Sequence, residues 1–190
     1  MDADINVIKF ENLHAIAVLG WFQNLTFLLH RGDNIWGFKN LGQKDLMKVQ
    51  KGNMDAQVSI DLINIFRHYG VPITMENGDQ SMIWFAPGLR ELLLTAKVFK
   101  VDYCCMGRVY RKRTRLAAWA LPNEQVAHEV SQECAKKYHC SSKGGICDRT
   151  KEPHLILRGW SRGKALTADG KVYPKKFANL VTKLTCTTQA

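Results

Sequence analysis

Between Asp55 and Ala120 the spacing of apolar residues switches repeatedly between a helical and a strand-like period, and that succession limits the chain to folds that mix helices with a sheet. From Asp55 the positions Val58, Leu62, Ile65 and Phe66 recur at helical intervals, and Gly70 supplies the stop. Val71 to Met75 (VPITM) then reads as a short buried strand, ended by Glu76, Asn77 and Gly78. Pro87 opens a second helix, expected through Lys97, at a first-turn position where its missing N–H costs little. Val98 to Cys104 and Arg115 to Ala120 are two more strand candidates, joined by the basic turn GRVYRKRT.

The flanks continue the pattern. His14 to Gly20 (HAIAVLG) is an apolar run that suits a buried strand of a parallel sheet. His30 to Asn53, polar and punctuated by glycine, reads as a long loop with at most one short helix. After the strands come a surface helix over Asn123 to Lys137, a Gly- and Ser-rich loop over Cys140 to Glu152, a short strand over His154 to Leu157, and an amphipathic helix over Tyr173 to Leu184. The expectation is an α/β domain over residues 1–122, with a basic, Cys/His-containing extension over residues 123–190 packed on it.

Composition narrows the class. With 46% hydrophobic and 23% charged residues the chain is neither wholly disordered nor fibrous. Its longest apolar stretch, Leu13 to Phe22, falls short of the roughly 20 residues a membrane helix needs, so no membrane partner is expected. The acidic start, Met-Asp-Ala-Asp, lacks the pattern of a secretion signal, which predicts an intracellular protein, in cytoplasm or nucleus. The net charge of +10 is concentrated in residues 96–176, where 18 Lys or Arg stand against 7 Asp or Glu. A basic half of this kind meets phosphate backbones or serves solubility.

Three constellations have residue types suited to chemistry. Glu76 with Asn77 stands at a strand end, where open α/β sheets place ligands; there a carboxylate either contacts a ligand's polar edge or caps the following turn. Arg111, Arg113 and Arg115 alternate into a strand and so share a face suited to an anion or nucleobase. Arg108 and Lys112 add charge to that turn and Tyr110 adds a stacking surface; the other reading is a solvated basic turn. Cys134, Cys140, Cys147 and His154, with His139 nearby, supply thiols and imidazoles for a tetrahedral zinc site, or are buried and incidental thiols. Cys104 and Cys105, at a strand end, read as packing residues.

In order and spacing these segments resemble a known family. The run ITMENGDQSMIWFAPGLREL followed by VDYCCMGRVYRKRTRLAAW is similar to the second half of the cytosine-5 DNA methyltransferases, in a divergent, phage-like branch. CSSKGGICDRTKEPHLILRG and VYPKKFANL resemble that branch's tail, and HAIAVLGWFQNLTFLLHRGDNIWGF with KVQKGN resembles its nucleophile strand and loop. The fold implied is part of a doubly wound, Rossmann-like, methyltransferase-type sheet. The reaction implied is methyl transfer from S-adenosylmethionine to a cytosine flipped out of DNA, after a cysteine thiolate adds to carbon 6.

Carried over by motif, Glu76 holds the ring nitrogen and amino group of cytosine, and Arg113 and Arg115 reach the base carbonyl and support the site. Arg108, Tyr110, Arg111 and Lys112 face the nucleic acid. Two departures qualify the activity. The nucleophile position falls on Phe22 or Gln23, neither of which forms a thiolate, and the cofactor-binding Gly-x-Gly occurs nowhere in the sequence. The expectation is therefore a truncated or degenerate methyltransferase-like protein, inactive alone, with a second chain as the source of the cofactor half. The alternatives are a noncatalytic nucleic-acid-binding module and a phage or mobile-element remnant.

Overall fold

A computed structural model describes residues 34–142, 145–157, 160–161, 164–165 and 172–186. The predicted strand at His14 to Gly20 and the nucleophile position at Phe22 or Gln23 lie outside the described residues. Helix α1 spans Gln43–His68, strand β1 Ile73–Gly78, helix α2 Pro87–Leu93, strand β2 Lys97–Asp102 and strand β3 Arg113–Trp119. Helix α3 follows at Glu124–Lys137, then a two-residue hairpin pair, β4 Trp160–Ser161 and β5 Lys164–Ala165, and helix α4 Lys175–Thr185. One-turn 3-10 helices occupy Met82–Phe85 and Tyr103–Met106.

The class is mixed α/β, as expected, but the main sheet is a small antiparallel one rather than a doubly wound parallel one. Its order is β1-β3-β2, with β3 antiparallel to both neighbours. β1 and β2 therefore run parallel to each other with β3 inserted between them, and α2 makes the crossover. The antiparallel register follows from the connection between β2 and β3, a turn through Gly107 (φ +95°) that brings the chain straight back beside β2.

Side chains on paired strands alternate between the two faces, and each face has its own core. On one, Ile73, Met75, Ala117 and Trp119 pack with Ala56, Ile60 and Ile63 of α1 and Leu89 and Leu92 of α2. The Trp119 indole N–H donates to the Leu92 carbonyl at 2.9 Å, fastening α2 to the sheet. On the other, Phe99, Val101, Leu116 and Ala118 pack with Ala127, Val130 and Cys134 of α3 and Phe177, Leu180, Val181 and Leu184 of α4. The extension expected from residue 123 thus supplies one whole layer of the structure. No helix among the described residues is long and apolar enough to cross a membrane.

Several boundaries differ from the sequence reading. The loop expected up to Asn53 is helical from Gln43. Apolar residues lie on two opposed sides of α1, Val49, Ala56, Ile60 and Ile63 buried and Met47, Met54, Val58 and Ile65 exposed, so no single stripe marks the helix. α2 stops at Leu93, not Lys97, since Lys97 already pairs with Ala118. β1 runs on through Glu76 and Asn77, which pair with Leu116 and Arg115. Residues 154–157 form no strand; the backbone there is irregular beyond the isolated bridge Ile146–Pro153. α3 matches its expected span, and the Asn123 side chain caps it by accepting from the Val126 N–H at 3.0 Å.

Burial contrast gives a direct check of this layering. Phe177→Ala is expected to cost about 3–5 kcal/mol in urea unfolding, the usual loss for a buried aromatic ring, and exposed Val58→Ala about 0.5 kcal/mol or less. Equal losses at the two sites would contradict the packing of α4 on the sheet.

Candidate metal centre and strand-end carboxylate

Cys104, Cys140, Cys147 and His154 converge, their ligand atoms all within 4.8 Å of one another. Three separate segments deliver them. Cys104 sits in the 3-10 turn that ends β2, and Cys140 lies just beyond the C-terminus of α3. Cys147 and His154 flank a tight turn closed by the Ile146–Pro153 bridge, by the Cys147 N–H on the Glu152 carbonyl at 2.8 Å, and by the His154 N–H on the Gly145 carbonyl at 2.6 Å. The three thiols are buried, His154 is partly exposed, and Cys140 Sγ lies 3.8 Å from His154 Nε2. Thiolates about 2.3 Å from a tetrahedral ion stand about 3.8 Å apart, so the spacing suits a single ion with four protein ligands. Such a closed set leaves no position for substrate.

The electrostatics favour a thiolate at one ligand. Burial pushes the Cys147 thiol up, but the N–H and hydroxyl of Thr150, the Arg149 N–H and His154 outweigh it and hold the pKa down at about 6. Cys104 is moved the other way, first by burial and then by the neighbouring thiols Cys105 and Cys140. Crowding of thiols that resist ionisation together is relieved by a cation among them.

Asp102 supports this centre from behind. Its carboxylate, 1% exposed, accepts from Arg111 Nε at 3.2 Å, from Arg113 at 3.1 and 2.9 Å, and from the Cys140 N–H at 2.8 Å. Burial alone would raise its pKa; Arg113, the Cys140 N–H and Arg111 together hold it below the ordinary carboxylate value. Arg111 and Arg113 also donate to the Cys140 carbonyl at 2.9 and 3.0 Å.

The residues assigned from sequence are placed as follows. Cys134 lies in the core between α3 and the sheet, on the inward stripe of α3 and outside the cluster, in which Cys104 stands with Cys140, Cys147 and His154. His139 is 3.7 Å from Asp102 and outside the ligand set. Arg111 and Arg113 are engaged by Asp102, and Arg115 by Asp79 at 2.9 Å, with its guanidinium 5.1 Å from the Trp84 ring. Tyr110 is buried at 3% exposure and offers no stacking surface. Arg108 donates to the carbonyls of Val172 and Tyr173, both at 3.1 Å.

Glu76 is 3% exposed and accepts from Lys112 Nζ at 3.2 Å and from the Tyr173 hydroxyl at 2.9 Å. It does not share a face with Arg113 and Arg115. Glu76 pairs with Leu116 and Asn77 with Arg115, so the arginines stand with Asn77 on one side of the sheet and Glu76 stands with Thr114 and Leu116 on the other. Asn77 keeps its Oδ1 on the Gly78 N–H at 2.8 Å, while its buried Nδ2 has no hydrogen-bond partner among the described residues. Sequence reasoning missed Cys104, Asp102 and Tyr173; Cys104 lies 36 residues from Cys140 and Tyr173 lies 97 from Glu76.

No protein-family profile, curated protein or solved structure matches this chain.

Cys104→Ser and Cys134→Ser separate the two ligand assignments. Elemental analysis of the purified protein is expected to give one metal ion per chain, lost in Cys104→Ser and retained in Cys134→Ser; the reverse result would contradict the Cys104 site.

Proposed function

We propose that this chain is a DNA cytosine-5 methyltransferase-like domain that recognises a cytosine through Glu76 and is held in shape by a structural zinc ion at Cys104, Cys140, Cys147 and His154. The observation that carries the reading is the buried Glu76 carboxylate, two residues before the end of β1, with both oxygens turned to hydrogen-bond donors. A carboxylate removed from water is costly unless its acceptors are matched, and it discriminates strongly among ligand edges for the same reason.

Zinc fits the donor set: three thiols and one imidazole at tetrahedral spacing, with no open position, which makes the ion a staple rather than a catalyst. S-adenosylmethionine, which the resemblance implies, finds no Gly-x-Gly turn in this sequence to cradle it. With Phe22 or Gln23 at the nucleophile position, the role proposed is recognition without methyl transfer by this chain alone, the cofactor half coming from a second chain. DNA is the partner, met by the basic second half of the sequence, and the compartment is the reducing cytoplasm or nucleus, where such thiols persist. Because Arg111, Arg113 and Arg115 are engaged internally, the phosphate contacts fall to cations outside that set.

The test uses fluorescent duplexes that carry an unpaired cytosine, thymine or adenine opposite an abasic site, titrated at two salt concentrations. The wild-type chain is expected to prefer cytosine and to weaken steeply with salt, and Glu76→Gln to lose about tenfold of the base preference while keeping the salt dependence. Preference unchanged in Glu76→Gln would remove Glu76 from base recognition.

A further inference from the structure

Both Glu76 oxygens are already occupied by the chain's own donors, one by the Lys112 ammonium and one by the Tyr173 hydroxyl. Two donors side by side against one carboxylate reproduce the pattern that a ligand edge with two N–H groups presents. The Lys112 ammonium is further held 5.1 Å from the Tyr103 ring centroid and 6.0 Å from that of Tyr173, so it sits between aromatic faces.

Tyr173 comes from 97 residues away and is fixed at two points. Arg108 grips the carbonyls of Val172 and Tyr173, and the Tyr173 ring stacks on Phe177 of α4 at 5.3 Å. Burial, with the charge of Glu76 beside it, pushes the Tyr173 pKa upward, which keeps the hydroxyl a neutral donor. The grip on the backbone is at a partly buried surface, whereas Phe177 is deep in the core at 1% exposure. Residues 172–173 therefore form the releasable side of the contact and α4 the fixed side.

We propose that Val172 and Tyr173 form an internal latch in which Tyr173, with Lys112, occupies Glu76 in place of a two-donor ligand edge such as that of a protonated cytosine or an amidine. A two-donor edge reaches both Glu76 oxygens only by displacing the Tyr173 hydroxyl from one and the Lys112 ammonium from the other. The inference rests on the reading of Glu76 as a ligand-binding carboxylate, and it places the control of that site in the segment leading into α4.

Carbodiimide-driven amidation of carboxylates in the full chain, read by peptide mass spectrometry, reports access to Glu76 without any nucleic acid. Tyr173→Phe is expected to speed labelling of Glu76 about fivefold, the shift from losing one hydrogen bond, and Tyr173→Ala to speed it further. Asp102, buried elsewhere, stays unlabelled in a folded variant and serves as the control. If Tyr173→Ala exposes Asp102 as well, the conservative Tyr173→Phe decides. Glu76 labelling unchanged in Tyr173→Phe, with Asp102 protected, overturns the latch. The same variants are then titrated with the duplexes bearing an unpaired base. Faster labelling with tighter cytosine binding supports both readings, and faster labelling with no base preference supports the latch while overturning cytosine recognition.

Discussion

Asp102 ends β2 at 1% exposure, and a carboxylate that far from water persists as an anion only because donors from three places meet it. Arg111 arrives from the turn before β3, Arg113 from the first position of β3, and the Cys140 N–H from beyond α3. Removing one member of such a buried set leaves the others uncompensated, at a cost on the order of 3–5 kcal/mol, against the roughly 5–15 kcal/mol that holds a whole domain folded. The carboxylate thereby joins sheet, basic turn and Cys/His loop into one unit. Cys140 can lie opposite Cys104 because Asp102, two residues before Cys104, grips the Cys140 backbone from the same strand end.

That arrangement changes the meaning of the positive charge. Read as a sequence, the alternating arginines form a cationic face awaiting a phosphate or a base. In the structure each has an internal acceptor, and the alternation serves to bring Arg113 and Arg115 onto the side of the sheet that carries Asp102 and Asp79. Lys112, between Arg111 and Arg113 in sequence, points to the opposite side and meets Glu76. The alternation thus sorts four closely spaced charges among three carboxylates, Asp102, Asp79 and Glu76.

The legible parts of the fold were those written in local pattern. α3 reads from its Asn123 cap and inward stripe, and α4 from its amphipathic spacing after Pro174. The central strands read from their apolar runs. Strand direction was not legible, since apolar runs at this length serve parallel and antiparallel sheets alike, and the antiparallel order depends on the turn at Gly107. Half of α1 was hidden by its two opposed apolar sides. In the Cys/His cluster, Cys140, Cys147 and His154 were legible as potential ligands. Cys104 was not, because 36 positions of chain separate it from Cys140 and only the folded sheet end brings the two together. Cys134, nearer in sequence, is turned by its helix into the core.

Zinc X-ray absorption on the metal-loaded chain tests the centre most directly, since the scattering shell counts sulfur and nitrogen ligands without any variant. The account predicts three sulfur neighbours at about 2.3 Å and one nitrogen at about 2.0–2.1 Å. A shell of two sulfurs with two nitrogen or oxygen neighbours would contradict a centre built from Cys104, Cys140, Cys147 and His154.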